Sequence, residues 1–146
     1  MIKKHIHTAS FLIFAGIGAV LAYILLLNHF SILTSICDAG PKINCDIVNQ
    51  SLYSTIFNIP VALIGVLGYS FLFLVAVTNI FFKKRYFAQI IFFLSLGGAL
   101  FSLYLTGVEA FVLGTFCLYC LTSQTIIILL SIFSYHTWRG FDSTNQ

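Results

Sequence analysis

The chain has 146 residues, 60% of them hydrophobic and 8% charged, with a mean hydropathy of +1.02. Soluble domains carry about 25% charged residues. A chain this short has proportionally more surface to cover than a large one, so lipid must solvate most of it. The formal charge of +3 is too small and too scattered for a nucleic-acid surface. Its length bounds it to one domain, 1–146.

Four apolar stretches, at about 9–30, 59–82, 86–106 and 115–136, each approach the roughly 20 residues a helix needs to cross about 30 Å of hydrocarbon. A barrel would show shorter, alternating segments, so the expected fold is an all-α bundle of four transmembrane helices. The first stretch follows Lys3 and Lys4, as a signal peptide would. It outruns a signal core of about 7–15 residues and no small-x-small cleavage site closes it, so it reads as a span. Lys3, Lys4, Lys83, Lys84, Arg85 and Arg139 fall on one side of the spans. Lys42 falls on the other, with Asp38, Asp46 and Glu109. This positive-inside bias predicts cytoplasmic termini, with the loop 31–58 and the turn 107–114 outside.

Small residues cluster within the spans (Ala15 and Ala19, Gly65 and Gly68, Gly97, Gly98 and Ser102), where they let helix backbones approach closely in lipid. No chain of acids or histidines crosses the spans, which argues against an ion pump or transporter. In the outer loop, 46–57 places Val48, Leu52 and Ile56 on one helical face, with Tyr53 and Phe57 beside them. That pattern predicts a short amphipathic helix capping the outer mouth of the bundle. Pro60 suits the first turn of the second span, where its missing N–H costs nothing.

The four cysteines form two pairs on the outer side: Cys37 with Cys45 in the loop, and Cys117-Leu-Tyr-Cys120 opening the fourth span. Structural staples explain the first pair but suit the second poorly, because so short a loop restrains little unfolded-chain entropy. A zinc site is disfavoured: seven residues separate the first pair, against the usual two to four, and no histidine accompanies them. A redox relay fits best. The CxxC spacing puts two sulfurs on one helical face, where a thiolate can attack a neighbouring disulfide. Electrons entering from water by thiol exchange can leave only to something that reaches sulfur from within the membrane. A lipid-soluble quinone meets that requirement.

These features resemble the vitamin K epoxide reductase family over nearly the whole chain. The markers are Cys37 and Cys45 after the first span, Ser51 six residues after Cys45, Asn-Ile-Pro-Val-Ala-Leu-Ile-Gly at 58–65, and Cys117-Leu-Tyr-Cys120. Family members usually have Gly at the place of Asn58. The other family of membrane quinone-dependent thiol oxidases carries its CxxC near the first span, the reverse order.

The resemblance implies a route. Cys37 exchanges with a thiol partner, Cys45 resolves the mixed disulfide and passes electrons to Cys117, and Cys120 faces the quinone. Ser51 orients the quinone head. Gln124 stands where mammalian members have a substrate-binding tyrosine, which favours reduction of an ordinary quinone (ubiquinone or menaquinone) over epoxide reduction. Many bacterial relatives carry a fused thioredoxin-like domain after the fourth span. With the chain ending at Gln146, the expected partner is a thioredoxin-fold protein acting in trans, with the site on the periplasmic side of the inner membrane.

Tyr53, Phe57, Leu63 and Tyr119 are candidates to line the quinone pocket, although aromatic packing explains each equally well. Glu109 reads as a solvated loop acid and His29 as an interfacial residue. Asn49-Gln50-Ser51 spells a glycosylation acceptor, read as chance. Two alternatives stay open: a quinone-epoxide reductase driven by thiols, and a non-catalytic scaffold with two structural disulfides.

Overall fold

The computed structural model describes residues 2–32, 37, 40, 42–82 and 84–142, with side chains of the terminal helices described from Thr8 to Gly140. Asp38 and Lys83 lie outside the described residues, as do the side chains of Lys3 and Lys4. The chain runs through α1 (Ile2–His29), α2 (Cys45–Asn49), a 3-10 turn (Leu52–Ser54), β1 (Thr55–Ile56), β2 (Ile59–Pro60), α3 (Val61–Phe82), α4 (Arg85–Val108), a π-helical segment (Glu109–Leu113) and α5 (Leu118–Asp142).

Four segments are long and apolar enough to cross a membrane: Thr8–His29, Val61–Phe82, Arg85–Leu113 and Leu118–Gly140. The four expected spans are present, and the protein is a multi-pass membrane protein. Successive spans alternate in direction. Both termini and the link at Lys84 therefore share one end of the bundle, and all four cysteines lie toward the other.

The buried positions of α1 (Phe11, Ala15, Gly18, Ala22, Leu25 and Asn28) follow steps of four and three, the seam of helices packed nearly antiparallel. Small residues on that seam do what lipid packing requires. A Cβ at Gly18 would overlap the Tyr69 ring of α3, and one at Gly65 would sit 3.2 Å from Ala22 Cβ. On the other side of the bundle, a Cβ at Gly98 would sit 3.2 Å from Ile127 of α5. Polar contacts join the spans as well: Tyr69 of α3 donates to Ser123 O of α5 (2.8 Å), and on the α4–α5 seam the Ser95 and Ser134 hydroxyls meet at 3.1 Å. Gly68 and Gly97 differ, with nothing near where a Cβ would be.

Two expectations change. The amphipathic helix expected over 46–57 is helical only as α2, Cys45–Asn49. Its chain leaves α geometry at Gln50 (φ −100°, ψ 1°), because the Asn49 side chain turns into α1 instead of continuing a surface helix. After the 3-10 turn, β1 and β2 pair antiparallel in a hairpin whose two-residue loop is Phe57–Asn58, with φ of 51° and 63°. That turn explains Asn58, since asparagine tolerates the left-handed region better than most residues. Leu52 and Phe57 are consequently exposed, at 91% and 97%, not folded onto one buried stripe with Val48. Pro60 ends β2 immediately before α3.

The turn expected at 107–114 is also shorter. α4 continues to Val108 and widens into the π segment. The chain turns only at Gly114, whose φ of 64° suits glycine.

Candidate active site

A backbone bridge brings the two cysteine pairs together. Ile43 pairs with Phe116 in parallel: Phe116 N–H donates to Lys42 O (3.0 Å) and Asn44 N–H to Phe116 O (3.1 Å). Asn44 then caps α2, its Oδ1 accepting from Ile47 N–H at 3.0 Å, as an N-cap side chain does. Cys45 and Cys117 are the residues directly after the bridged strands' last contacts, so they arrive side by side.

Cys37 and Cys45 are joined in a disulfide with Cα atoms 5.9 Å apart, while Cys117 and Cys120 are free thiols. The sulfurs of Cys37, Cys45 and Cys117 all lie within 4.8 Å of one another. Such a cluster has the look of a metal site. However, two of its three sulfurs are bonded to each other, so the arrangement is a thiol beside a disulfide. Cys45 and Cys117 are fully buried, Cys37 nearly so, and Cys120 half-buried. Cys117 directly precedes α5, and its Sγ accepts a hydrogen bond from Cys120 N–H at 3.3 Å. It acts as a sulfur cap on one of the N–H groups a helix start leaves unpaired.

α2, which carries Cys45, is fastened to α1 by buried polar groups. Asn49 Nδ2 donates to Leu25 O (2.6 Å) and Asn28 Oδ1 (2.8 Å), and Asn28 Nδ2 donates to Asp46 Oδ1 (2.6 Å). His29 Nδ1 lies 2.8 Å from the Asn49 carbonyl, so it belongs to this junction and is not merely interfacial. Asn49 is buried with its amide engaged, which removes it as a glycosylation acceptor in the folded protein.

Glu109 overturns its reading as a solvated acid. It is 3% exposed, and its Oε2 accepts from Cys117 N–H at 3.1 Å. Cys120 borders the same cavity as Glu109, and its N–H bonds to the sulfur of Cys117, the residue whose own N–H this carboxyl holds. α4 itself produces this placement: Glu109 continues, in helical steps of three and four, the buried face of Ala88, Ile91, Ser95 and Ala99, and its N–H still bonds to Leu105 O and Thr106 O as the helix passes into the π segment. Such segments occur often at functional sites.

Beside Cys120 lies a mostly apolar cavity of about 390 Å³ between α3 and α4. Cys120, Glu109, Ser51 and Tyr53 contribute its polar groups at the cysteine end, and Gly68 and Gly97 form part of its wall. The two glycines read from sequence as packing residues thus line open space. Ser51 faces the cavity, although its hydroxyl already donates to Val48 O at 2.7 Å, leaving it only as an acceptor. Gln124 stands one turn beyond Cys120, its side-chain oxygen held by the Thr106 hydroxyl, and Thr106 rather than Gln124 lines the cavity. Phe57 sits at the hairpin tip, and Leu63 and Tyr119 lie outside the lining. Tyr119 packs instead against the buried cluster that Leu25, Val48 and Ala62 form with Cys37, Cys45 and Cys117. Residues not singled out from sequence also join the site, namely Asn28, Tyr69 and Thr106, and so does Asn49, which the sequence marked only as a chance glycosylation acceptor.

Four apolar spans carry, toward one end, a disulfide, a CxxC and an adjoining apolar cavity. The chain belongs to the vitamin K epoxide reductase family, whose family model matches residues 9–135. A search of curated proteins found no match.

Proposed function

We propose that the protein is a quinone-dependent thiol–disulfide oxidoreductase that takes electrons from a thioredoxin-fold partner through Cys37–Cys45 and Cys117–Cys120. The carrying observation is the position of Cys117. Its sulfur lies within 4.8 Å of both sulfurs of the Cys37–Cys45 disulfide, and its CxxC partner Cys120 borders the cavity. Thiol–disulfide exchange needs a thiolate next to a disulfide sulfur, and only small movements separate these atoms from contact.

The direction follows from the surroundings. Cys37 is the member of its pair that retains exposed surface, so it meets the partner. Cys45, fully buried beside Cys117, resolves the mixed disulfide and exchanges with Cys117. The thiolate released or consumed at Cys117 is stabilised by Cys120 N–H and the start of α5. Cys120 is the outlet to the cavity.

The cavity suits a quinone. Its volume falls in the range of about 300–1,000 Å³ typical of small-molecule sites, and its walls are apolar with polar groups gathered at the sulfur end. Cys120, Ser51 and Tyr53 would hold the ring, with Gly68 and Gly97 giving room for the apolar remainder. A quinone supplies a two-electron, two-proton acceptor, which matches what closing a dithiol to a disulfide releases. The basic residues at the opposite end orient the bundle with the cysteines on the outer, periplasmic face of the cytoplasmic membrane.

Purified protein supplied with a reduced thioredoxin-fold protein should reduce a ubiquinone or menaquinone analogue. Cys120→Ala should abolish that reduction, while the Cys37–Cys45 pair still exchanges with the partner. Full turnover in Cys120→Ala would refute the relay. Offering the quinone epoxide in parallel separates quinone reduction from epoxide reduction. After mild reduction of intact cells, a membrane-impermeant maleimide should reach Cys37 from outside; labelling only after the membrane is breached would reverse the orientation.

A further inference from the structure

Glu109 is buried and ionisable, bonded to Cys117 N–H, and lines the same cavity as Cys120, yet the electron route above assigns it nothing. We infer that Glu109 carries the proton of Cys120, taking it from the thiol when the disulfide closes and returning it when the disulfide is reduced. The inference deepens the proposed function and rests on it.

The geometry supports this in three respects. One carboxyl oxygen is anchored by Cys117 N–H at 3.1 Å, which fixes the group without occupying it with a cation. Cys120, whose N–H bonds to the Cys117 sulfur at 3.3 Å, borders the cavity next to this anchored carboxyl. Glu109 itself also lines that cavity, so a proton on its oxygen faces the space where the acceptor's oxygen must be. No Lys, Arg or His contact is found for Glu109 among the described residues. A carboxyl held by a backbone amide and by no cation among the described residues is suited to gaining and losing a proton, whereas a structural ion pair would be held by a cation.

The step balances as follows. The Cys120 S–H bond breaks and a Glu109 O–H bond forms. The sulfur then bonds to Cys117 Sγ, and two electrons leave to the quinone. Of the two protons that reduction of the quinone requires, one comes through Glu109 and the other from the Cys117 thiol. In the opposite direction, Cys45 attacks Cys117 Sγ, the Cys117–Cys120 bond breaks, and Cys120 departs as a thiolate that Glu109 protonates.

The reverse direction allows a test without quinone. Glu109→Gln keeps an oxygen to accept from Cys117 N–H but cannot carry the proton. In quinone-free protein first oxidised at both pairs, reduction by a dithiol is followed at each pair by rapid quench and mass spectrometry. Removing a general acid typically costs about 10²-fold or more. The expected result is that Cys117–Cys120 is reduced at least about tenfold more slowly in Glu109→Gln, with Cys37–Cys45 reduced at the wild-type rate. Quinone reduction should fall with it, and Glu109→Asp, which retains a carboxyl, should recover part of both rates.

A purely structural or repulsive carboxyl predicts the opposite sign, because removing its charge eases departure of a Cys120 thiolate. An equal or faster reduction of Cys117–Cys120 in Glu109→Gln would therefore overturn the inference. So would equal slowing in Glu109→Gln and Glu109→Asp. If wild-type Cys117–Cys120 is never reduced through Cys37–Cys45, the relay fails instead, and the two failures are distinguishable.

Discussion

Asn49→Leu tests whether the α1–α2 junction sets the register between the two cysteine pairs. The substitution nearly preserves shape but removes the donor of two buried hydrogen bonds, 2.6 Å to Leu25 O and 2.8 Å to Asn28 Oδ1. An acceptor left unpaired in a buried site costs about 1–3 kcal/mol. Leu25 O lies within α1 and keeps its helical partner, so its share belongs at the low end. Asn28 Oδ1 loses more, and the sum is about 2–3 kcal/mol. Part of this will appear as a lower unfolding midpoint in detergent. The rest should appear as looser docking of α2, where 2 kcal/mol corresponds to about 30-fold in the docking equilibrium. The assay pairs thermal unfolding with the rate at which a reduced Cys37–Cys45 pair reduces Cys117–Cys120. Both should fall, while reaction of Cys37 with a small dithiol stays unchanged. A variant within about 0.5 kcal/mol of wild type, the range of an ordinary surface substitution, and with unchanged transfer between pairs would refute the reasoning.

Gly18→Ala should destabilise the α1–α3 seam by about 1–3 kcal/mol, the usual cost of overpacking, because the new methyl overlaps the Tyr69 ring; unfolding in detergent measures it. Gly16→Ala, with nothing within 4 Å of its Cβ position, serves as the control and should be close to neutral or slightly stabilising. Gly97→Leu places a side chain into the open cavity wall. It should raise the KM for the quinone analogue about tenfold or more, by displacing bound apolar groups worth about 0.8 kcal/mol per methylene. Cys37–Cys45 exchange and stability should remain near wild type.

The four spans were legible because lipid demands long, unbroken apolar runs. What faces inward was not. In α3 nearly every face is apolar, since a lipid-facing leucine resembles a packed one, and nothing in the string separates Gly65, where a Cβ would meet Ala22, from Gly68, where it would meet open space. The outer loop misled for a different reason. Val48, Leu52 and Ile56 keep helical spacing, yet tertiary hydrogen bonds from Asn49 and a left-handed turn at Phe57–Asn58 end the helix after one turn. Asn58 carried a signal for that turn, but Phe57 at positive φ carried none. Glu109 was misplaced because Gly107 looked like the end of the span. Gly114 is the actual stop, and α4 runs on far enough to keep the acid on its buried face.

The account stands on the transfer from Cys45 to Cys117, and trapping that bond tests it most directly. In a Cys120→Ala variant, Cys117 has no partner to close with and should retain whatever sulfur exchanges with it. After equilibration in a thiol–disulfide buffer and acid quench, peptide mass spectrometry should find Cys45 linked to Cys117, with Cys37 free or joined to the buffer thiol. Cys37 linked to Cys117 would reverse the order of the outer pair. Cys117 found only as a free thiol, with Cys37–Cys45 intact under every buffer ratio, would contradict the relay.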